Sequence, residues 1–179
     1  MQKKVYAISD TWFNRLLEDD PNANVVDNND HIIQCWNDVV NKQDIVYVLG
    51  GFGIGDLYHI LVRLNGHIHF LNNYFNEDER NFINMMKEAV DKSSDIELKT
   101  RITFLPDQIK ILNDLDSVLS YFPLEDWPGK STGTYCFHGL SDKMNIAEHN
   151  IACVAKGWDY MPLNLSDLQD SVTTFIEKL

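Results

Sequence analysis

Asp10 closes the apolar run KVYAIS, residues 4–9, and so falls where a buried strand would deliver a polar side chain at its C-terminal end. A carboxylate there can ligate a metal, serve as a base, or accept hydrogen bonds from loop amides. The stretch VYVLGGFGIG, residues 46–55, repeats this pattern with a glycine turn, but Gly51 has no donor atom to offer. GGFGIG has the glycines of a phosphate cradle, yet Asp56 follows and no lysine adjoins, so it does not read as a phosphate loop. His138 is the last residue but one of GTYCFHG, with Asp142 four residues further on. His67 and His69 share one face in the middle of the strand-like HIHFLNN, before the loop where ligands belong. His31, His59 and His149 fall on helices or their edges and read as surface or hydrogen-bonded residues. Cys35, Cys136 and Cys153 are odd in number and lack a CxxC pair, which argues for reduced thiols rather than a disulfide framework or a cysteine zinc site.

The elements that must position these groups alternate. Strands are predicted over 4–9, 44–50 and 67–73, and helices over 30–42, about 56–66 and 76–92. Such strand, helix, strand order implies right-handed crossovers and a mostly parallel sheet. From about 95 to 138 the pattern becomes β-rich, in IELKTRITFLP, QIKILN, DSVLSYFPL and GTYCFHG. IACVAKG, residues 151–157, adds a strand, and SDLQDSVTTFIEKL reads as a capped amphipathic helix. No repeat or linker divides the 179 residues, so a single domain over 1–179 is expected.

A net charge of -12, from 15 basic against 27 acidic residues, disfavours general nucleic-acid binding. Glu18, Asp19, Asp20, Asp27 and Asp30 crowd residues 17–30 without a basic residue, as a solvated acidic loop or a face for a basic partner would. The first ten residues hold too few apolar side chains for a signal-peptide core or a membrane span, so a cytoplasmic location without membrane contact is expected.

Six strings in order resemble the calcineurin-like metallophosphoesterases, in particular small bacterial and phage members. YAISDTWF looks like a strand ending in SDTHF, and CWNDVVNKQDIVYVLGGF is similar to a WN-helix followed by DDIVYHLGDF. RLNGHIHFLNNYFN lies along RLNGKKILIRGNHD, VLSYFPL along LSHYPL, FHGLSD along HGHTH, and GWDYMPLNLSDL along the family's closing segment. The resemblance implies a four-layer α/β/β/α sandwich of mixed sheets flanked by helices. It also implies a pair of metal ions that neutralise phosphoryl oxygens and lower the pKa of an attacking water.

Carried over position by position, the ligand set is degenerate. Asp10 keeps the first aspartate, but Trp12 stands at a histidine and Gly51 at the bridging aspartate. Tyr74 stands at the ligating asparagine and Phe75 at the catalytic histidine, with Asn76 at the last aspartate of GNHD. Tyr121, Leu140 and Asp142 replace histidines, while His138 matches a residue that is not usually a ligand. No catalytic residue and no resident metal are therefore expected. The replacements would converge as an aromatic hollow or a filled plug, a candidate binding surface. The reading is a catalytically inactive protein that binds a macromolecular partner, expected to be a protein. The resemblance to phage members adds a role as an inhibitor of a host or defence protein, in the host cytoplasm. Two alternatives stand: a phosphodiesterase with a single Mn, Zn or Mg ion on Asp10 and Asp142 with His138, or a nucleotide binder that does not hydrolyse its ligand.

Overall fold

A computed structural model describes residues 3–15, 25–74, 76–140, 146–147 and 149–169. The expected alternation appears as β1 (Val5–Ile8), α1 (Val25–Val39), β2 (Ile45–Val48), α2 (Tyr58–Leu61), β3 (His67–Phe70) and α3 (Glu77–Lys92). α4 (Ile96–Arg101) and β4 (Ile102–Phe104) follow. The second half supplies β5 (Ile109–Leu112), β6 (Ser117–Ser120), β7 (Tyr135–His138), β8 (Ile146–Ala147), β9 (Asn150–Ala152) and β10 (Leu163–Asn164).

These strands make two five-stranded mixed sheets, ordered β10-β1-β2-β3-β4 and β5-β6-β7-β9-β8. In the first, β1 to β4 run parallel with Val5, Ile45 and His67 in line, and β10 is antiparallel to β1. In the second, β6, β7 and β9 are parallel, with antiparallel strands at both edges. The helical crossovers of the first half give its parallel order.

Strand alternation then builds two cores. Ile8, Val48, Ile68 and Phe70 face the helices and meet Ile32, Trp36, Ile83 and Met86. Ala7, Tyr47, Leu49 and Leu71 face the second sheet and meet Leu119, Tyr121, Phe137 and Ile151. The protein is thus mixed α/β, with helices packed on one sheet and a second sheet packed on the other side of it.

A fourth, helical layer is not found among the described residues. On the outer face of the second sheet, Val118 and Cys136 are covered by Trp127 and Leu124, and the Trp127 indole N–H donates to the Thr134 carbonyl at 2.7 Å. The expected closing helix is seen over 165–169, and residues 170–179, over which it was also expected, lie outside the described residues.

Two local expectations change. Residues 96–101, taken as strand for their Ile and Thr, are the helix α4, because the Asp95 side chain accepts from Leu98 N at 2.9 Å and caps it. The helix expected over about 56–66 is one turn, α2. Beyond it the chain turns its backbone to tertiary partners: Arg101 donates to Leu61 O at 2.7 Å and Leu64 O at 2.9 Å, and the Trp36 indole donates to Asn65 O at 3.0 Å. Such long-range bonds compete directly with helical ones.

Candidate functional site

The site lies where β1, β2, β6 and β7 end. Ser9 joins the two sheets there, donating its N–H to Cys153 O at 2.9 Å and accepting from Ala155 N at 2.8 Å. The loops after β1 and β2 then zip together, with Asp10 N on Gly50 O, Trp12 N on Gly51 O and Phe13 N on Phe52 O, at 2.9 to 3.0 Å. This pairing runs through left-handed backbone at Asp10, Trp12 and Gly51, with φ of 56°, 49° and 66°. Aspartate tolerates that region; for tryptophan it is a strained conformation that the surrounding bonds must hold.

Asp10 is met from the second sheet by Tyr121. Its hydroxyl donates to Asp10 Oδ1 at 3.0 Å, and Leu140 N donates to Oδ2 at 3.2 Å. The Tyr121 ring is fully buried and fits only because two neighbours lack side chains: a Cβ at Gly50 would stand 2.7 Å from its Cδ2, and one at Gly139 2.6 Å. Burial raises the Asp10 carboxyl above the usual range, partly offset by the hydrogen bonds from Ser9, Tyr121 and Leu140. Burial and the neighbouring Asp10 charge push the Tyr121 phenol well up, so it stays protonated and donates.

The other candidate positions scatter around this pair. Gly51 lies against Asp10, and a Cβ there would overlap Asp10 Oδ1. Leu140, half-buried and with φ of 42°, contributes its backbone rather than its side chain. His138 is buried; its Nδ1 donates to the Gly139 carbonyl at 2.8 Å, and burial lowers its pKa. Trp12 is half-buried with the Arg15 guanidinium 5.3 Å above its ring, and Tyr74 carries Arg80 at the same distance. Tyr74 packs against the helix-side core. With Gly50, Phe52, Asn73 and Glu79 it borders a cavity of about 10 Å³, close to the size of one water. Phe75 and Asp142 lie outside the described residues. Among the described residues, Tyr121 is the aromatic side chain bonded to Asp10, and Tyr74 borders the small cavity beside Gly50.

Two residues of the site were not singled out by the sequence. Glu79, read as one of several first-turn acids of a helix, is 1% exposed, and its Oε1 accepts from Phe52 N at 2.9 Å. The spacing of Asn76 and Glu79 marks a helix N-terminus, and Asn76 Oδ1 does accept from Glu79 N at 2.9 Å. That spacing holds no hint that the carboxylate reaches the loop after β2. Phe122 is 47% exposed, its ring 5.2 Å from that of Tyr121. Among the described residues, no three His, Cys, Asp or Glu side chains are grouped to hold a metal ion, and no helix is long and apolar enough to cross a membrane.

No family model matches the chain. It is 37% identical over 78 residues to an uncharacterized protein, MJ1445, of Methanocaldococcus jannaschii, a match covering 38% of this chain and 44% of that relative. The chain thus spans less than half the length of the curated relative it matches. The crystal structure of a protein of unknown function, AQ665, from Aquifex aeolicus is similar over 94% of this chain and 99% of its own, with a TM-score of 0.56 at 18% identity. That likeness concerns the fold alone.

Proposed function

We propose that the protein is a non-catalytic relative of the calcineurin-like metallophosphoesterases that acts by binding a protein partner at the face around Asp10. The observation that carries this reading is the Tyr121 ring seated between Gly50 and Gly139 with its hydroxyl on Asp10. In that family the same strand ends surround two metal ions. Here the carboxylate left at that place is occupied on one oxygen by a phenol and on the other by a backbone amide. A four-layer sandwich is the finer form of the fold that this reading implies.

The single-metal alternative draws less support. Asp10 is already engaged by Ser9, Tyr121 and Leu140, and among the described residues no three His, Cys, Asp or Glu side chains are grouped to hold a metal ion. Around the filled hollow, half-buried Trp12 and exposed Phe122 give the face an apolar, aromatic character suited to a protein interface. A role as a phage inhibitor of a host or defence protein is the specific form of this proposal.

The test is hydrolysis of bis-p-nitrophenyl phosphate in manganese or zinc, for the wild type and Asp10→Ala. Equal background rates are expected; hydrolysis that depends on Asp10 would overturn the reading. For the partner half, Trp12→Ala with Phe122→Ala should abolish capture of a host protein that the wild type retains, with an unchanged melting temperature. Capture unaffected by both changes would move the interface elsewhere.

A further inference from the structure

α3 presents a polar stripe to the edge of the first sheet. Arg80, Asn84 and Lys87 recur at i, i+4 and i+7, so they share one side of the helix. β4 is the last strand of that sheet, and its Phe104 ring stacks on Phe70 at 5.2 Å and 14°. The Lys87 ammonium stands 5.9 Å from the Phe104 ring centroid, and the Arg80 guanidinium 5.3 Å from that of Tyr74. Two cations of the helix thus meet two rings of the sheet side, one in the loop after β3 and one on β4.

Between the helix and the strand edge lies a hollow of about 280 Å³, near the lower end of ligand-pocket sizes. Ile83, Phe104 and Leu105 supply its apolar wall, and Tyr74, Asn84 and Lys87 its polar groups. Asn84 and Lys87 are exposed, while Tyr74, Phe104 and Leu105 are half-buried, so the hollow opens to solvent on the helix side. No carboxylate lines it, although the chain carries a net charge of -12. Lys87 is the one charged residue of the lining, and among the described residues it pairs with no carboxylate, whereas Arg80 is held by Glu77 at 3.3 Å. Burial raises the Tyr74 phenol above its ordinary value, which keeps it protonated and able to donate.

We propose that the hollow between α3 and β4 binds a small aryl carboxylate, its ring against Phe104 and Leu105 and its carboxylate on Lys87, with Asn84 and Tyr74 as neutral donors. An apolar wall beside a cluster of donors suits a ligand with one greasy end and one acidic end. A single ammonium matches one negative charge better than it matches a phosphate dianion. With no acid in the lining, nothing receives the ammonium of a free amino acid, which would be desolvated without a partner. Tyr74 and Ile83 also border the small cavity beside Gly50, so they stand between the two spaces. The site uses neither Asp10 nor the exposed aromatics near it, and it does not rest on the non-catalytic reading.

The experiment is a titration of isotope-labelled protein with sodium phenylacetate, read from backbone amide shifts by NMR. Phenylacetamide, which has the ring without the charge, and sodium acetate, which has the charge without the ring, are the controls at equal ionic strength. Phenylacetate is expected to shift the Asn84, Lys87 and Leu105 amides saturably, and neither control to saturate over the same range. Lys87→Met, at an exposed helix position, keeps an apolar stem over Phe104 and removes the charge. It should leave the spectrum of the free protein folded and weaken phenylacetate binding by about fivefold, the loss equivalent to one exposed ion pair. A response to phenylacetate that either control reproduces, or an unchanged affinity in Lys87→Met, would overturn the proposal.

Discussion

The Tyr121 hydroxyl donates to Asp10 Oδ1 at 3.0 Å, joining the two sheets through residues 111 positions apart in the chain. The contact closes the hollow at the strand ends from both sides. Asp10 sits in left-handed backbone that only the zipped loops after β1 and β2 maintain, and Tyr121 occupies space that exists only because residues 50 and 139 are glycine. A tyrosine here is therefore matched by its surroundings.

Tyr121→Phe keeps the ring and removes the donor, and should cost about 1–3 kcal/mol, as expected for a bond to a buried charged acceptor. The pH dependence gives the assignment. Asp10 has its pKa raised in the folded state, so folding favours its protonated form, and stability falls as pH rises from the unfolded value through the raised one. Loss of the phenol donor raises Asp10 further. The deficit of Tyr121→Phe in urea unfolding should be larger at pH 7 than at pH 4, and an equal deficit at both would show that Asp10 is not the acceptor that matters.

Placing an aspartate at the glycine turn should not create a hydrolytic site. Gly51→Asp places a Cβ on Asp10 at a φ of +66°, so it should destabilise by at least about 1–3 kcal/mol and yield no metal-dependent hydrolysis. A stable variant with phosphodiesterase activity would contradict both the geometry and the proposed function.

Two histidines should make the fold acid-sensitive. Burial lowers the pKa of His69 and of His138, so in the folded state they take up protons only below the range in which the unfolded chain does. Their contribution is fully present above the unfolded histidine value of about 6.5 and is lost as pH falls toward the lowered ones. Urea unfolding should show less stability at pH 5.5 than at 7.5. The slope should flatten in His69→Gln and in His138→Gln, and an unaltered slope in both would count against the assignment.

The parallel half of the fold was legible because its strands are apolar on both faces and end in polar or glycine residues, as in KVYAIS and DIVYVLG. The α4 segment has the sequence character of a strand because its helix depends on one capping carboxylate, Asp95, while Ile96 and Thr100 carry β-like character. β10 was not anticipated, since two residues beside β1 leave no periodicity to detect. Within the site, the motif positions located Asp10, Gly51 and Tyr121 near one another. Their spacing could not tell a hollow from a plug, because that depends on the volume left at Gly50 and Gly139.

Glu79 offers the last prediction. It lies in the first turn of α3, where the sequence gives only a capping pattern, yet its side chain leaves the helix and accepts from Phe52 N, one residue beyond Gly51. The carboxylate thus ties the helix to the loop that shapes the floor of the Tyr121 seat. Glu79→Ala would strip a buried amide of its acceptor and leave a void beside the small cavity at Tyr74, a combined loss of about 2–5 kcal/mol. Because the missing bond is local, the Phe52 amide should exchange with solvent faster in Glu79→Ala by more than global destabilisation accounts for. The Val118 amide, in the middle of the second sheet, serves as the reference. If both amides accelerated by the same factor, Glu79 would be a stabilising residue without a specific hold on the loop.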